Sequence, residues 1–485
     1  MIARVFREIC RQHAERPALS ELELQFSYTT LARRIDSLAI VLVGTHQLKP
    51  TNPVAIQLPN SADFAVSFFA LMQLGSPAIL LSTHWKGPEI QEVLNQVPVQ
   101  AVISSRGLLP RWEETSLDKS VPRLAAEDFL QEHGSGTSRP CAQFPPVPAE
   151  TQPAIIFCTA GTTGRPKLVV RSHENLLANA ANVAERLALQ PGSRTLAVVP
   201  FYHANGFSNC LLLPLLSGSS IFLMRRFEPE SLAMLVEQKQ IEVLMGSPFI
   251  YEQLVEAGKG VYGSVHTALT SGAPLPPRVE QECRQHLGLR VRQLYGSSET
   301  GTIAIQPNRD GQPAGSVGVP LSRVEIRILG PNRLPLPAGT SGEIAVRSPA
   351  VMSGYWESGG LSRTGFQGDF FMTGDLGFLT GEGELVLQGR AKPVINVGGI
   401  KVDPEEIARV IREIPGVLGC KVYGVSHPVQ TEIIAASIQC DPNKPVERKQ
   451  VVEHCRQHLA EFKIPRQIFF SQESGDPILG NTGRI

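Results

Sequence analysis

Short apolar runs that alternate with helical patterns constrain the fold of this chain more than any other feature of its sequence. Strands that are apolar along their whole length are typical of parallel sheets covered by helices on both faces. We therefore predict an α/β fold for the first part of the chain. The predicted strands are Val54–Leu58, Ala78–Leu81, Ala101–Ser104, Ala154–Cys158, Thr195–Val199, Ile221–Met224, Val243–Gly246, Ala268–Thr270 and Val291–Tyr295.

Changes of character along the chain indicate its domain organisation. A chain of 485 residues is too long for a single core. Residues 133–153 are rich in Pro and Gly and predict a surface linker. From about Glu325, short alternating strands and glycine turns predict an antiparallel β-subdomain. A second break near residue 390 divides the chain into predicted domains of residues 1–390 and 391–485.

The second domain has a clear helix start. Asp403 is a suitable N-cap, Pro404 fits the first helical position, and Glu406 is placed to close a capping box. Four apolar residues then mark one face of the predicted helix, namely Ile407, Val410, Ile411 and Ile414.

Charge and cysteine content exclude several classes of protein. Lys and Arg together number 45, as do Asp and Glu, so bulk charge favours neither a nucleic-acid partner nor a membrane surface. The eight cysteines form no CxxC pair, which argues against a zinc site and a disulfide framework. The longest apolar stretch, Phe64–Ser82, is interrupted by Gly and Pro and predicts a helix, a turn and a strand rather than a membrane span. We expect a cytoplasmic enzyme.

A loop rich in Gly and Thr follows the predicted strand Ala154–Cys158. It reads TAGTTGRPK, from Thr159 to Lys167. Glycines let backbone N–H groups approach an anion, while Thr hydroxyls add donors and Lys167 adds a positive charge. The loop is not a P-loop, because Pro166 precedes the lysine. A tight turn without a ligand is the alternative interpretation.

Three later segments add groups that a nucleotide needs. YGSSETG offers Tyr295 for stacking on a base and Glu299 as an oxygen ligand for Mg²⁺. TGDLG places Asp375 in a predicted tight turn, where its carboxylate can accept two ribose hydroxyls. GRAK offers Arg390 as a fixed cation. Each segment alone is compatible with an ordinary turn or a surface charge, whereas the ordered set favours a nucleotide site.

Taken together, these motifs resemble the adenylate-forming superfamily of acyl- and aryl-CoA ligases, peptide-synthetase adenylation domains and luciferases. The family's phosphate loop [ST]SGTTGxPK matches Thr159–Lys167 with Ala160 in place of Ser, and its YGxTE matches Tyr295–Glu299. Further matches follow in the family's order: Ser172–Asn175, Pro200–Gly206, Ser271–Pro274, GEIAVRS, GYW, TGD, GRxK and the segment around Pro404.

The resemblance covers nearly the whole chain and implies both a fold and a reaction. The fold is α/β, with a large N-terminal domain of two αβ-layered subdomains plus a β-subdomain. A small mobile α+β C-terminal domain follows, with its hinge near Lys392 and Pro393. The implied reaction joins a carboxylate to the α-phosphate of MgATP, which releases pyrophosphate, and then transfers the acyl group to a thiol.

The resemblance also implies roles for individual residues. The expected catalytic residues are Lys167, His203, Glu299 as the Mg²⁺ ligand, Thr300 and Arg484. The expected nucleotide contacts are Thr159, Gly161, Thr162, Thr163, Gly164, Gly272, Ala273, Pro274, Tyr295, Gly296, Ser297, Ser298, Asp375 and Arg390. The expected acid pocket comprises Tyr202, Asn205, Gly206, Phe207, Gly246, Ser247, Ser271 and Leu294, and the expected thiol tunnel passes Gly398 and Gly399.

Two positions depart from the family pattern. Pro393 stands where the hinge usually has Asp or Lys, and proline fixes φ near about −65°. We therefore expect domain rotation to be restricted or relocated to a neighbouring bond. Arg484 stands where the family has the lysine that bridges the substrate carboxylate and the α-phosphate. Arginine keeps the charge but is planar and bulkier, so we expect it to act with altered geometry.

The acid and the thiol are less constrained by the sequence. No acidic residue stands where amino-acid-activating domains meet an α-amine, which favours an apolar or aromatic acid. The acceptor is expected to be CoA. The alternative is a stand-alone adenylating enzyme that loads the phosphopantetheine arm of a separate acyl-carrier protein or releases acyl-AMP. Two alternative functions from other classes of protein are also compatible with the sequence: a luciferase-like oxygenase and a non-catalytic nucleotide-binding protein.

Overall fold

A computed structural model describes residues 1–131, 149–159, 165–258, 260–357, 360–390, 394–427 and 430–471. Its helices are α1 (Ile2–Gln12), α2 (Tyr28–Gly44), α3 (Ala62–Leu74), α4 (Gly87–Leu94), α5 (Pro110–Glu113), α6 (Ala126–Gln131), α7 (His173–Leu187), α8 (Leu213–Leu216), α9 (Pro229–Lys239), α10 (Pro248–Ala257), α11 (Pro277–His286), α12 (Pro404–Arg412) and α13 (Arg448–His458). A π-helix spans Gly206–Leu212 and a 3₁₀ helix spans Glu461–Lys463.

Strands of the first half are β1 (Pro17–Glu21), β2 (Leu24–Ser27), β3 (Val54–Gln57), β4 (Ala78–Leu80), β5 (Ala101–Ser104), β6 (Arg123–Ala125), β7 (Pro153–Thr159), β8 (Lys167–Ser172), β9 (Arg194–Ala197), β10 (Ser220–Leu223), β11 (Val243–Gly246), β12 (Thr267–Thr270) and β13 (Val291–Ser297). Later strands are β14 (Gly301–Ile305), β15 (Ser316–Pro320), β16 (Glu325–Leu329), β17 (Gly342–Arg347), β18 (Gly354–Glu357), β19 (Gly360–Ser362), β20 (Phe366–Gln367), β21 (Phe370–Leu379), β22 (Leu385–Arg390), β23 (Ile395–Val397), β24 (Ile400–Val402), β25 (Val417–His427), β26 (Thr431–Cys440) and β27 (Gln467–Ser471).

The predicted apolar runs all form strands, and they divide between two parallel arrays. Strands β3, β4, β5 and β7 pair in parallel in one sheet, in the order β7-β4-β3-β5. Strands β9 to β13 pair in parallel in the other sheet, in the order β10-β9-β11-β12-β13. The prediction of parallel sheets is confirmed, and the two sheets account for the two layered subdomains.

The antiparallel region is not separate from the second array. Strand β14 pairs antiparallel with β13, and β15, β22, β21, β17 and β16 continue the same sheet. The antiparallel part therefore begins at Gly301 rather than near Glu325. Ladder pairing is continuous through β13, which joins what we predicted to be a distinct β-subdomain directly to the parallel strands.

Helix α3 occupies the centre of the main core. All of its residues are buried, from Ala62 to Leu74, and it ends at Gly75 in the left-handed conformation. This confirms that the apolar stretch Phe64–Ser82 is a buried helix, a turn and a strand. Among the described residues, no helix combines the length and the apolar character that a bilayer span needs. The described cysteines are all free thiols.

Phe207 belongs to this core rather than to the acid pocket. Its ring centroid lies 4.7 Å from that of Phe68 and 5.7 Å from that of Phe157, and the side chain is fully buried. The neighbouring Gly206 sits against the Pro200 carbonyl, where a side chain would overlap it. Both residues therefore shape the chain behind the pocket, which corrects their placement on its wall.

The last described part of the chain forms a small α+β unit. Strands β24, β23, β26 and β25 make an antiparallel sheet, to which β27 adds in parallel, with α12 and α13 packed against it. Asp403 caps α12 and Pro404 starts it, as predicted, and the predicted apolar face is buried. The capping box is not formed, because the Glu406 carboxylate instead accepts a hydrogen bond from Lys463.

Replacing Phe207 with Ala tests its place in the core. We expect Phe207→Ala to lower the free energy of unfolding of the N-terminal domain by about 3–5 kcal/mol, because a large buried ring is lost. Chemical denaturation measures this. Phe469→Ala is the matched control: that ring is 48% exposed, so its loss should change stability by less than about 0.5 kcal/mol.

Candidate active site

The hairpin of β7 and β8 carries the ends of the Gly-Thr loop. Thr159 and Lys167 are directly paired across the ladder, so the loop leaves and re-enters the sheet at one point. The Lys167 ammonium lies 5.0 Å from the centroid of the Tyr355 ring. The middle of the loop, with the predicted Gly161, Thr162, Thr163 and Gly164, lies outside the described residues.

Glu299 lies in the turn between β13 and β14, beside this hairpin. Its Oε1 accepts a hydrogen bond of 3.1 Å from the Tyr355 hydroxyl, and its main-chain oxygen accepts one of 2.7 Å from the Met352 amide. Burial, with the Glu299 charge, raises the pKa of Tyr355, so the hydroxyl stays a donor. Tyr355 thus brings the predicted phosphate-binding lysine and the predicted magnesium ligand to one place.

Thr300 is buried beneath the same turn. Its hydroxyl lies 3.1 Å from that of Ser297 and accepts a hydrogen bond from the Ser297 amide. With 1% of its surface exposed, Thr300 does not face the cavity described below. The geometry assigns it to holding the turn.

Tyr295, Asp375 and Arg390 form one network beside the cavity. The Tyr295 hydroxyl donates to Asp375 Oδ2 at 2.6 Å, and Arg390 Nε donates to Asp375 Oδ1 at 2.5 Å. Asp375 lies within β21, directly across the ladder from Arg390 in β22. Our prediction of a tight turn at Asp375 is therefore wrong: the segment TGD is part of a strand, and only Gly374 has a positive φ.

One cavity of about 430 Å³ collects most of the predicted residues. Of the described candidates, those on its wall are Thr159, Tyr202, His203, Asn205, Gly246, Ser247, Ser271, Gly272, Leu294, Gly296, Ser297, Ser298, Glu299, Arg390 and Gly399. Those outside its wall are Lys167, Gly206, Phe207, Ala273, Pro274, Tyr295, Thr300, Asp375 and Gly398. Arg484, Lys392 and Pro393 are outside the described residues.

His203 lies at the cavity between the parallel strands and the π-helix. Its ring centroid is 4.6 Å from that of Tyr202. Burial lowers the pKa of His203 to about 4, and the nearby His84 acts in the same direction. The imidazole is therefore neutral near pH 7.

The C-terminal unit closes one side of the cavity. Asn396 Nδ2 donates to the Gly272 carbonyl at 3.0 Å, and the Asn396 side chain also accepts from the Gly399 amide at 2.8 Å. A Cβ at Gly399 would lie 2.8 Å from that of Ser247, so only glycine permits this approach. Gly399 thus forms part of the cavity wall, next to the predicted adenine segment.

A buried ion cluster joins the two domains beside this loop. Lys463 Nζ lies 2.6 Å from Glu89 Oε1 and 2.7 Å from Glu406 Oε1. Burial alone would lower the pKa of Lys463, but the two carboxylates overcome it and raise the pKa. Glu89 comes from α4 of the N-terminal part and Glu406 from α12, so the lysine links the two units in this arrangement.

Several polar residues at the site were not predicted from the sequence. Arg171, Asn179, Ser208, Asn209 and Thr302 line the cavity and are almost fully buried. Within a single sequence they resemble ordinary strand and helix residues, and no motif singles them out. They lie on four different elements, namely β8, α7, the π-helix and β14, and tertiary packing brings them together.

Lys401 is a further residue at the cavity that the sequence did not indicate. It lies on β24, two residues after Gly399, and reaches the cavity from the C-terminal unit. Desolvation by the surrounding protein lowers the pKa of Lys401 and the Arg390 charge acts in the same direction, although part of the side chain is exposed to solvent. The motif NVGGIKV indicates a thiol tunnel through its glycines alone, and nothing in it distinguishes the lysine from a surface residue.

Comparisons with known proteins agree with this geometry. The profile of the AMP-binding enzyme family matches residues 6–356, and that of the AMP-binding enzyme C-terminal domain matches residues 406–475. A feruloyl-CoA synthase from an Amycolatopsis species is 28% identical over 92% of this chain and 90% of its own length. A sulfoacetate–CoA ligase from Cupriavidus necator is 32% identical over 87% of this chain and 84% of its own.

Solved structures give the same result for the fold. A double mutant of o-succinylbenzoate CoA synthetase from Bacillus subtilis, bound to a product analogue, aligns with a TM-score of 0.89 at 24% identity, covering 97% of this chain and 95% of that one. The same synthetase in complex with AMP aligns at 0.74 and 25% identity, covering 96% and 94%. Since the first family profile spans well over half of the sequence, the chain belongs to the AMP-binding enzymes, the adenylate-forming superfamily that its motifs resemble.

Proposed function

We propose that this protein is an AMP-forming acid–thiol ligase that activates a carboxylic acid with ATP and transfers the acyl group to CoA. The contact of Tyr355 with both Lys167 and Glu299 carries the proposal, because it sets a cation and a carboxylate beside one cavity. The relatives named as CoA ligases support it.

The first half-reaction joins two anions. A carboxylate oxygen of the acid attacks the α-phosphorus of ATP, the bond from that phosphorus to the bridging oxygen breaks, and pyrophosphate leaves. Thr159 and Lys167, which are paired at the two ends of the Gly-Thr loop, are proposed to hold the departing phosphates, where a hydroxyl and an ammonium group offset the charge that accumulates in the transition state. The Tyr295–Asp375–Arg390 network is placed to bind the nucleoside.

Glu299 is suited to hold Mg²⁺. Tyr355 donates to Oε1, which leaves Oε2 as a hard, anionic oxygen ligand of the kind that Mg²⁺ prefers. When bound, the ion supplies charge neutralisation at the phosphates. The chain's own contribution is to fix the carboxylate, through the Tyr355 hydroxyl and the Met352 amide.

His203 acts as a neutral group at the mouth of the acid pocket. Because its imidazole carries no charge near pH 7, it can donate or accept one hydrogen bond beside the acid carboxylate without forming an ion pair. Apolar side chains of Phe157, Tyr202 and Leu294 on the cavity wall favour an apolar or aromatic framework in the acid.

The second half-reaction needs a path for a thiol. The thiol sulfur attacks the acyl carbon, the carbon–oxygen bond to phosphate breaks, and AMP leaves. In this structure Gly399 and Gly272 meet at the cavity, as a tunnel for a thin thiol arm requires. The higher TM-score against the product-analogue complex than against the AMP complex supports a domain arrangement suited to thioester formation.

Arg484 and Pro393 both lie outside the described residues, so their roles stay predictions from the sequence. Arg484 is proposed to replace the usual lysine in the first half-reaction. Pro393 is proposed to restrict rotation of the C-terminal domain. CoA is proposed as the acceptor, with a carrier-protein arm as the second candidate.

Pyrophosphate release is the direct test of the activity. We expect the purified protein to release pyrophosphate with ATP, Mg²⁺ and at least one acid from a carboxylic acid panel, and to form the acyl-CoA only when CoA is added. Lys167→Ala should slow pyrophosphate release by at least about 100-fold, because the phosphate charge is then unopposed. Tight ATP binding without pyrophosphate release from any acid would show a binding protein instead.

The cluster around Lys463 predicts a separation of the two half-reactions. Glu89→Gln removes the cross-domain charge, so we expect thioester formation to slow by about tenfold while pyrophosphate exchange changes by less than about threefold. The control is Glu92→Gln, one turn later on α4, whose contacts with Arg165 and Arg409 are both 3.9 Å long. It should alter either rate by less than about twofold. Equal slowing of both half-reactions in Glu89→Gln would contradict the assignment.

The neutral state of His203 predicts a pH dependence of stability. The unfolded chain takes up a proton on this residue below about pH 6.5, whereas the folded protein does so only near pH 4. His203 therefore destabilises the fold progressively as the pH falls through that range. Between pH 7.5 and 5, the unfolding temperature of His203→Gln should fall less than that of the unsubstituted protein. His286→Gln, at an exposed helix end, should behave like the unsubstituted protein.

A further inference from the structure

The residues of the cavity wall range from partly exposed at its open side to almost fully buried at its inner side, and the buried ones include several polar side chains. At its open side lie partly exposed residues such as His203, Ser247 and Ser271. Its inner side is formed by Arg171 of β8, Asn179 of α7, Ser208 and Asn209 of the π-helix, and Thr302 of β14, which are exposed by at most 4%. An acid pocket with an apolar floor would have aliphatic or aromatic side chains at these positions.

Many of the polar atoms on this floor have no protein partner. They are Nε and Nη1 of Arg171, Nδ2 of Asn179, Oγ of Ser208 and Oδ1 of Asn209. A buried donor or acceptor that is left unpaired costs about 1–3 kcal/mol, so such groups are rarely kept without a use. Three of the five are nitrogen donors and a fourth is a hydroxyl, which can also donate. The set is therefore complementary to a group rich in acceptors.

Arg171 gives the floor its charge. Its Nη2 donates to the Asn175 carbonyl at 3.1 Å, which orients the guanidinium and leaves the other two nitrogens unpaired. The Arg171 guanidinium packs directly against the main chain at Gly301. A Cβ placed on Gly301 would lie 3.1 Å from Nη2 and 3.3 Å from Nη1 of Arg171, so the absence of a side chain permits this close approach. Burial lowers the pKa of Arg171 to about 10, and Glu299 acts in the opposite direction. A buried cation in this position is stabilised by an anion.

The neighbouring side chains hold this floor in place. Asn179 Oδ1 accepts a 2.8 Å hydrogen bond from the Thr302 amide, which turns its Nδ2 away from the main chain. Asn209 Nδ2 donates to Asn205 Oδ1 at 2.8 Å, which leaves Asn209 Oδ1 as the unpaired atom. The unpaired atoms of Asn179 and Asn209 are thus each oriented by a hydrogen bond made by the other end of the same side chain.

Resting on the proposed function, we infer that the acid carries a second anionic group, a carboxylate or a sulfonate, at the end remote from the carboxylate that reacts. The first carboxylate stays near His203, the framework contacts the apolar wall, and the second group meets Arg171, Asn179 and Ser208. This narrows the predicted apolar or aromatic acid to one with a charged far end.

Matched pairs of acids test the inference on the unsubstituted protein. The pairs share a skeleton and differ in the far group: hexanoate with adipate, and 4-methylbenzoate with benzene-1,4-dicarboxylate. Pyrophosphate release is measured as kcat/KM with ATP and Mg²⁺. We expect the diacid of at least one pair to be favoured by at least about tenfold, since charge-assisted hydrogen bonds to a buried guanidinium discriminate strongly. A preference for the monoacid in both pairs overturns the inference.

Variants then test which residues cause the preference for the diacid. Arg171→Met conserves volume and should lower the ratio of diacid to monoacid by at least about tenfold, whatever the total rate. Ser208→Ala is a milder second variant that should lower the ratio by about threefold, so the test survives a failure of Arg171→Met to fold. Asn182→Leu is the matched control: Asn182 is equally buried and unpaired on α7 but does not line the cavity, so the ratio should not change.

These outcomes separate the inference from the proposed function. Pyrophosphate release with monoacids only, or a ratio of diacid to monoacid that is unchanged in Arg171→Met, would refute the anionic far group and leave the proposed ligase activity standing. No pyrophosphate release with any monoacid or diacid would contradict the proposed ligase activity itself.

Discussion

The hydrogen bond from Tyr355 to Glu299 joins the two large sheets at the cavity. Tyr355 belongs to β18, which pairs with β8, whereas Glu299 follows β13 of the other sheet. Lys167 lies over the same ring, so the register of the β7–β8 hairpin and the turn after β13 fix the distance between a cation and a carboxylate. The chemistry proposed here requires that distance, since phosphate charge must be opposed from two sides at once.

The C-terminal unit meets this site through polar contacts. Asn396 bonds to Gly272, Lys463 bridges Glu89 and Glu406, and Lys86 donates to a carbonyl of α13. A buried ammonium is stable only with its carboxylates in place, so the cluster favours one arrangement of the domains over others. The rotation proposed for the C-terminal domain would exchange such polar and charged contacts for water, whereas a large apolar interface would oppose it.

Prediction from the sequence worked where the physical cause was local or the motif was long. The apolar runs became parallel strands because a parallel sheet covered by helices on both faces buries a short, continuous apolar stretch on both of its sides. The helix after Asp403 began as predicted, because capping is decided within one turn. The predictions that were wrong share one reason, which is that residues distant in the chain decide the local surroundings. Strand pairing with β22 decided the conformation at Asp375, packing against Phe68 decided the position of Phe207, and Lys463, 57 residues away, decided the contact of Glu406.

By itself, the sequence determined the alternation of strands and helices, the order of the nucleotide-binding motifs and the start of the small second domain. Those features depend on periodicity, glycine and capping chemistry within a few residues. Only the tertiary structure decided that Arg171 and Asn179 line the cavity and that Lys463 bridges two domains. The physical reason is that the environment of a buried polar group is made by elements distant in the chain, and no local pattern records which of its hydrogen bonds are left for a ligand.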